Sequence, residues 1–107
     1  MQVSGGVPTA VDVSAVMAAL SERSRADIVR LLGERHRSQR GLSQELGMSQ
    51  PLVSHHLKVL AEVGLVESSV CERIKVYQLR PSTFDALAAR VGLLAERAAE
   101  VARHQPC

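Results

Sequence analysis

Aromatic residues are scarce in this sequence of 107 residues: they make up 2% of it, as Tyr77 and Phe84, and there is no Trp. Proteins that bind single-stranded nucleic acid usually stack its bases on aromatic side chains. The composition therefore excludes a stacking platform of that kind. It also requires a core built from aliphatic side chains.

Cysteines and long apolar runs are scarce as well. Two cysteines, Cys71 and Cys107, are too few for a disulfide-stapled scaffold. No Lys or Arg precedes Arg23, so the basic segment that opens a signal peptide is missing. No uncharged apolar run approaches the roughly 18 residues that a membrane span needs. These absences predict a cytoplasmic protein with no membrane partner.

What is present is typical of one globular domain. Hydrophobic residues make up 46% of the chain and charged residues 22%. The formal net charge is +2, and residues 21–40 contain six Arg against three acidic residues. This local excess of positive charge is compatible with nucleic-acid binding without requiring it.

The pattern of apolar residues divides the chain into three parts. Residues 1–9 contain two Gly, one Pro and one Ser, and are expected to be a flexible N-terminal arm. Residues 10–103 are expected to form the folded domain, and residues 104–107 a C-terminal tail.

Helical spacing of apolar residues marks both ends of the domain. A first helix is predicted from Ala10 to Leu20, and a second, capped by Ser24, runs to about Leu32. A last long helix, capped by Ser82, is expected to run to about Arg103.

The centre of the domain contains a helix-turn-helix pattern. A short helix over 42–46 ends at Gly47, and Ser49 caps the next helix, which has Pro51 in its first turn. Two short extended runs, 65–70 and 74–79, follow as a hairpin. The predicted fold is mainly α with a small β-hairpin wing, a winged helix-turn-helix.

The stretch from Glu45 to Val66, with Ser-Gln at the start of its second helix and Val-Ser-His-His-Leu-Lys within it, resembles the ArsR/SmtB family of bacterial winged helix-turn-helix regulators. Leu20–Arg25 is similar to the family's entry to the second helix, and Lys75–Leu79 to the return strand of its wing. The resemblance covers roughly residues 12–100. It implies a homodimer that binds an imperfect palindrome in double-stranded DNA and represses transcription by occluding a promoter.

Candidate DNA-binding residues lie on the second helix of the motif and on the wing. If Val53, Leu57 and Leu60 are buried, a polar face points away from the core, and glutamine on such a face can pair with adenine in the major groove. The resemblance implies DNA contacts at Ser49, Gln50, Ser54 and His55. The complete candidate set is Ser49, Gln50, Ser54, His55, Lys58, Arg73 and Lys75.

Three further features near this surface have open interpretations. Glu72 occupies the wing tip where the family usually has Gly, and its carboxylate would repel phosphate. Arg35, Arg37 and Arg40 form either a phosphate-steering patch or a solvated loop. His56 lies beside Val53 and Leu60 on the helix and is expected to be partly buried.

The resemblance implies a dimer interface on the first and last helices. Apolar residues of the last helix advance by three and four residues, which is the spacing of a helix–helix seam. The same seam could pack within one chain, and both uses can hold together. The candidate interface residues are Val13, Val16, Met17, Leu20, Phe84, Leu87, Val91 and Leu94.

No metal site is predicted, because the positions matching the family's two recurring metal sites hold no thiolate, imidazole or carboxylate. Those positions are Ser38–Leu42 on the short helix and, on the last helix, Pro81, Thr83, Leu94 and Arg97. A response to a transition metal such as nickel, through His36 or the tail, stays open. A signal from a protein co-regulator stays open too.

Other function classes are less well supported. A winged helix used as a protein-interaction module is the alternative, and it predicts no DNA binding. An enzyme is not expected, because Ser54 and His55 are helix neighbours that cannot form a nucleophile–base pair, and no glycine-rich phosphate loop is present.

Overall fold

The structure, a computed structural model, describes residues 11–106. The expected N-terminal arm, residues 1–9, lies outside the described residues, as does Cys107. The elements are α1 (Val13–Leu20), α2 (Arg23–Leu32), β1 (Arg37–Ser38), α3 (Gln39–Leu46), α4 (Gln50–Glu62), β2 (Val66–Cys71), β3 (Ile74–Leu79) and α5 (Pro81–Ala102). The strands form one antiparallel sheet in the order β1-β3-β2. This is the predicted winged helix-turn-helix.

Short polar side chains begin most of the helices. The Asp12 carboxylate accepts from the Ala15 N–H at 3.0 Å, so α1 begins at Val13 and not at Ala10. Glu22, not Ser24, caps α2, because its carboxylate accepts from the Arg25 N–H at 3.0 Å and leaves Ser24 inside the first turn. Ser82 was also wrong as a cap: α5 begins at Pro81, whose missing N–H needs no partner there.

Two glycines make the tight turns that these helices need. Gly47 adopts φ 65°, and this left-handed residue ends α3 so that α4 can leave at a sharp angle. Gly64 adopts φ 81° after α4, and a Cβ there would lie 3.3 Å from the Thr83 Oγ1. A larger residue at either position would strain the backbone.

Residues 34–41 are not a solvated loop throughout, because they contain β1 and the start of α3. Arg37 pairs with Tyr77 and Ser38 with Val76, which adds a third strand to the hairpin. The Arg37 side chain is only 4% exposed and forms ion pairs with Glu34, at 3.1 Å, and with Glu45. Arg37 is therefore a buried structural residue and not part of a phosphate-steering patch.

Replacing Arg37 should destabilise the fold. Arg37→Ala removes the buried cation from its two carboxylate partners and opens space beside β3. Glu34 keeps a contact with Arg30 at 4.0 Å, and Glu45 keeps one with Arg35 at 3.9 Å. The expected cost is about 2 kcal/mol, less than for a fully buried pair because both acids are partly exposed. Thermal unfolding followed by circular dichroism should show a Tm lower by about 10 °C. Arg40→Ala, at an exposed position, is the matched control and should leave the Tm unchanged. Equal melting of the two variants would contradict a structural role for Arg37.

The core is aliphatic, as the composition requires. Its buried apolar side chains come from every helix except α5, from Val11 and from the residues around the start of β2, and they include Ile28, Leu42, Val53, Leu60 and Leu65. Only the first turns of α5 pack against this core, and residues 88–102 are exposed throughout. The core thus fixes α4 and the sheet while half of α5 projects away from it.

Candidate nucleic-acid interface

Helix α4 separates its side chains into two faces as the sequence predicts. Val53, Leu57 and Leu60 are buried. The candidate DNA-binding residues of this helix and its cap are all exposed: Ser49, Gln50, Ser54, His55 and Lys58. With 13 residues, α4 is about 20 Å long. An exposed polar helix of this size fits a major groove about 12 Å wide.

The turn between α3 and α4 is held by three polar contacts. The Ser49 Oγ accepts from the Leu52 N–H at 3.3 Å, and the Ser43 hydroxyl donates to the Met48 carbonyl. The Gln39 amide donates to the Gln50 carbonyl at 3.1 Å. The sequence does not identify this role of Gln39, since its partner lies across the turn and no local pattern marks it. These contacts fix the start of α4, where the candidate base-reading residues lie.

A groove of about 280 Å³ runs between α4 and the wing. Ser54 and Lys58 line it from the helix, and Lys75 and Tyr77 line it from β3. The Lys75 ammonium lies 5.4 Å from the centre of the Tyr77 ring, a cation–π contact between two residues that line the groove. The structure thus brings two candidate cations from separate elements to one concave surface.

The wing tip is a two-residue turn, Glu72 and Arg73, because Cys71 pairs with Ile74. Both turn residues have positive φ, 50° and 70°. This is the geometry of tight hairpin turns that favour Gly and Asn. Glu72 therefore places both backbone strain and a negative charge at the tip, beside the candidate phosphate ligands Arg73 and Lys75.

Two substitutions separate these effects of Glu72. Glu72→Gln removes only the charge and should tighten DNA binding by about threefold, since a carboxylate near phosphate is repelled. Glu72→Gly also removes the left-handed strain and should add up to about 1 kcal/mol of stability. Fluorescence anisotropy at fixed salt and thermal melting measure the two quantities. Unchanged DNA binding by Glu72→Gln would show that the tip does not approach phosphate.

The candidate dimer residues fall into two groups. Val16 is 1% exposed and belongs to the core, and Val13, Leu20, Phe84 and Leu87 are partly buried against it. Met17, Val91 and Leu94 are exposed, the last two at 47% and 61%. The first group packs within the chain, so only the second group and the partly buried edges are available to a partner.

The exposed apolar surface extends beyond the predicted residues. Leu93 and Val101 on α5 are also exposed, and neither was singled out from the sequence. A groove of about 320 Å³ between α1 and α5 is lined by Val13, Val91 and Leu94 among others. Arg90 and Arg97 also line this groove, and an exposed apolar surface with a polar rim is typical of an interaction site.

The described residues provide no preformed metal centre. Among residues 11–106, no three His, Cys, Asp or Glu side chains lie together in a way that could hold a metal ion. Cys71 is exposed on the wing and its thiol is free. None of the helices in this part of the chain is long and apolar enough to cross a membrane.

Comparison with known proteins identifies a family whose model matches the part of the chain that contains α4. The family model described as "Bacterial regulatory protein, arsR family" matches residues 16–68, which contain α3, α4 and the start of β2. No curated protein sequence matches the chain significantly.

Several solved structures share the fold over most of their length. An ArsR-like transcriptional regulator from Rhodococcus sp. RHA1 is 29% identical, with a TM-score of 0.71, 85% of this chain covered and 89% of the other. The transcriptional repressor BigR from Xylella fastidiosa is 29% identical, with a TM-score of 0.62 and coverage of 79% and 86%. The homodimeric winged helix-turn-helix DNA-binding domain of Mb0332 from Mycobacterium bovis is 27% identical, with a TM-score of 0.62 and coverage of 82% and 78%.

Proposed function

Since the chain belongs to the ArsR family of bacterial regulatory proteins, we propose that it is a homodimeric repressor that binds an operator in double-stranded DNA and occludes a promoter. The family and the fold are those of transcriptional regulators and not of enzymes. The observation that carries the proposal is the exposed polar face of α4 beside a groove lined by Lys58 and Lys75. Such a protein acts in the cytoplasm, where bacterial DNA lies.

In this proposal the start of α4 reads base edges. Gln50 can make a bidentate pair with the N6 and N7 of adenine, and Ser54 and His55 are short donors suited to base edges or phosphate. The capped N-terminus of α4 adds a partial positive charge that attracts phosphate near Ser49. Lys58, farther along the helix, reaches backbone phosphate.

The wing supplies contacts that carry little sequence information. Arg73 and Lys75 are exposed cations on the hairpin, and wing cations bind phosphates or enter the minor groove. Because Glu72 opposes them, α4 and not the wing tip is the main source of affinity.

A second copy of the chain covers the exposed face of α5. A two-fold dimer presents two α4 helices to successive major grooves, about 34 Å apart, and therefore reads an imperfect palindrome. The homodimeric Mycobacterium bovis domain supports this assembly. Met17, Val91 and Leu94 form its centre.

Two signals are compatible with the release of DNA, a transition metal and a protein co-regulator. A transition metal such as nickel would need at least one ligand beyond residues 11–106 of one chain, since those residues bring no three ligands together. A protein co-regulator is the other source of a signal. Each predicts a different response when the ion is added to the purified protein.

Fluorescence anisotropy tests the function. The purified chain is titrated onto its own upstream DNA and onto a scrambled duplex at one fixed salt concentration, because phosphate contacts make affinity depend on salt. We expect at least about a hundredfold preference for the upstream DNA. Weakening by added nickel would identify a metal-responsive regulator, and indifference to it would favour a co-regulator. Equal binding to both duplexes, or no binding, would overturn the proposal and favour a protein-interaction module.

A further inference from the structure

A polar cluster around the buried His56 connects α4 to the beginning of α2. His56 is 6% exposed and lies on the inner side of α4, next in sequence to the candidate base-reading residues Ser54 and His55. Its Nδ1 lies 3.3 Å from the Arg25 Nη1, and its Nε2 lies 3.9 Å from a carboxylate oxygen of Glu22. No residue of this cluster is among the candidate DNA-binding or dimer residues.

Arg25 makes two further hydrogen bonds besides its contact with His56. Its Nε donates to the Ala19 carbonyl at 2.6 Å, and its backbone N–H donates to Glu22 at 3.0 Å. The guanidinium therefore joins the end of α1 to α4 while remaining at the start of α2. Its geometry is set by atoms on two other elements, so it can fix the position of α4 relative to them.

The contacts determine the protonation state of His56. A guanidinium has only donors, so the Nδ1 must accept, and the ring proton lies on the Nε2, facing Glu22. This requires the neutral imidazole. The charged groups that face the ring are Arg25 on α2, Glu22 between α1 and α2, and His55 on α4 itself, whose ring centre lies 5.6 Å away.

Burial lowers the pKa of His56 below its ordinary value of 6.5; the Glu22 charge opposes this, and the Arg25 and His55 charges reinforce it. The folded protein thus holds His56 neutral, whereas the unfolded chain takes up a proton below about pH 6.5. Stability conferred by the neutral ring is therefore lost as the pH falls from about 6.5 towards the lowered value, and it is complete above that range.

We propose that Arg25 and His56 are positioning residues for DNA recognition, and that protonation of His56 releases α4 from α2 and lowers operator affinity in acid. The inference rests on the proposed DNA-binding function. A protonated ring offers no acceptor on Nδ1 and places a second positive charge beside Arg25. The contact then becomes repulsive, and the orientation of Gln50 and Ser54 on the same helix is no longer fixed.

Two substitutions of His56 separate the acceptor from the titration. His56→Asn places an amide oxygen near the position of Nδ1 and cannot be protonated in this range. His56→Leu fills similar space with no acceptor. Both variants keep His55, so differences between the proteins report His56 alone.

Operator dissociation constants are measured from pH 8 to pH 5 at fixed salt, with stability checked by thermal melting at each pH. At pH 7.5 we expect His56→Asn to bind within about threefold of the unchanged protein and His56→Leu to bind about tenfold more weakly. Between pH 7.5 and pH 5.5 the unchanged protein should lose about tenfold in affinity relative to His56→Asn. The proposal would be overturned if the ratio of the dissociation constants of the unchanged protein and His56→Asn stays constant with pH. Unchanged affinity in His56→Leu would overturn it too.

Nitrogen NMR of the free protein tests the positioning without DNA. The His56 ring should be the Nε2–H tautomer at pH 7.5, and Arg25→Ala should produce a mixture of tautomers. An Nδ1–H tautomer in the unchanged protein would overturn the proposal. If no protein binds the operator but the tautomer is as expected, the proposed function fails while the contact between Arg25 and His56 stands.

Discussion

Val91→Glu combined with Leu94→Glu should convert the protein to a monomer and weaken operator binding by about a hundredfold or more. Both side chains are exposed on the half of α5 that makes no contact with the core. Carboxylates there remove the apolar surface that a second chain would cover and place like charges opposite each other across the two-fold axis. Affinity falls because each monomer reaches one half-site, and the gain from binding two linked sites is lost.

Sedimentation equilibrium and anisotropy measure the two effects on the same samples. The control adds two carboxylates to a different side of α5, as Ala89→Glu with Gly92→Glu, at exposed positions roughly 100° or more around the helix from Val91. This control should remain dimeric and bind DNA as the unchanged protein does. Circular dichroism should show the same helix content in all three proteins. A dimer that survives Val91→Glu with Leu94→Glu would remove α5 from the interface.

Gln50→Ala combined with Ser54→Ala should abolish most sequence preference while leaving non-specific binding intact. A bidentate contact to a base contributes about 2 kcal/mol of discrimination, so two half-sites lose about 4 kcal/mol, roughly a thousandfold in specific affinity. Neither side chain is charged, so binding to scrambled DNA, which depends on phosphate contacts, should change little. Both residues are exposed, so the melting temperature should stay the same.

Modified DNA tests whether Gln50 contacts the N7 of an adenine. Replacing adenines of one half-site with 7-deazaadenine removes the N7 acceptor and should weaken the unchanged protein by about tenfold. The same DNA should not weaken Gln50→Ala, which has already lost that contact. Gln105→Ala, the same substitution in the exposed C-terminal segment, is the protein control. An equal loss of affinity for the modified DNA in the unchanged protein, Gln50→Ala and Gln105→Ala would contradict a base contact by Gln50.

The helix-turn-helix could be predicted because its determinants are local. Gly47, the Ser49 cap and Pro51 act within one turn of chain, and the apolar spacing of Val53 and Leu57 assigns the inner face of α4 directly. The exposed face, which holds every DNA-binding candidate on that helix, follows from the same period.

Contacts between residues that are distant in sequence could not be predicted from such local patterns. The strand at Arg37 has two residues and exists only because Tyr77 and Val76, distant in sequence, offer a free edge. The sequence therefore indicates surface charge at these arginines, although Arg37 is buried and forms ion pairs with Glu34 and Glu45. The contact of Arg25 with His56 and that of Gln39 with Gln50 likewise join separate elements.

The seam on α5 shows a third limit. Phe84 and Leu87 pack inside the chain, whereas Val91 and Leu94 face solvent, yet all four share one helical period. Periodicity identifies an apolar face but not which molecule covers it. Only the length of the core beneath the helix decides where packing within the chain ends.

Hydroxyl-radical footprinting on the upstream DNA tests the central claim, that a two-fold dimer reads DNA with α4. The account predicts two protected half-sites with centres one helical turn apart, about 10 base pairs. Both should disappear together in Gln50→Ala with Ser54→Ala and in Val91→Glu with Leu94→Glu. A single protected site, or protection that the α4 substitutions leave unchanged, would contradict it.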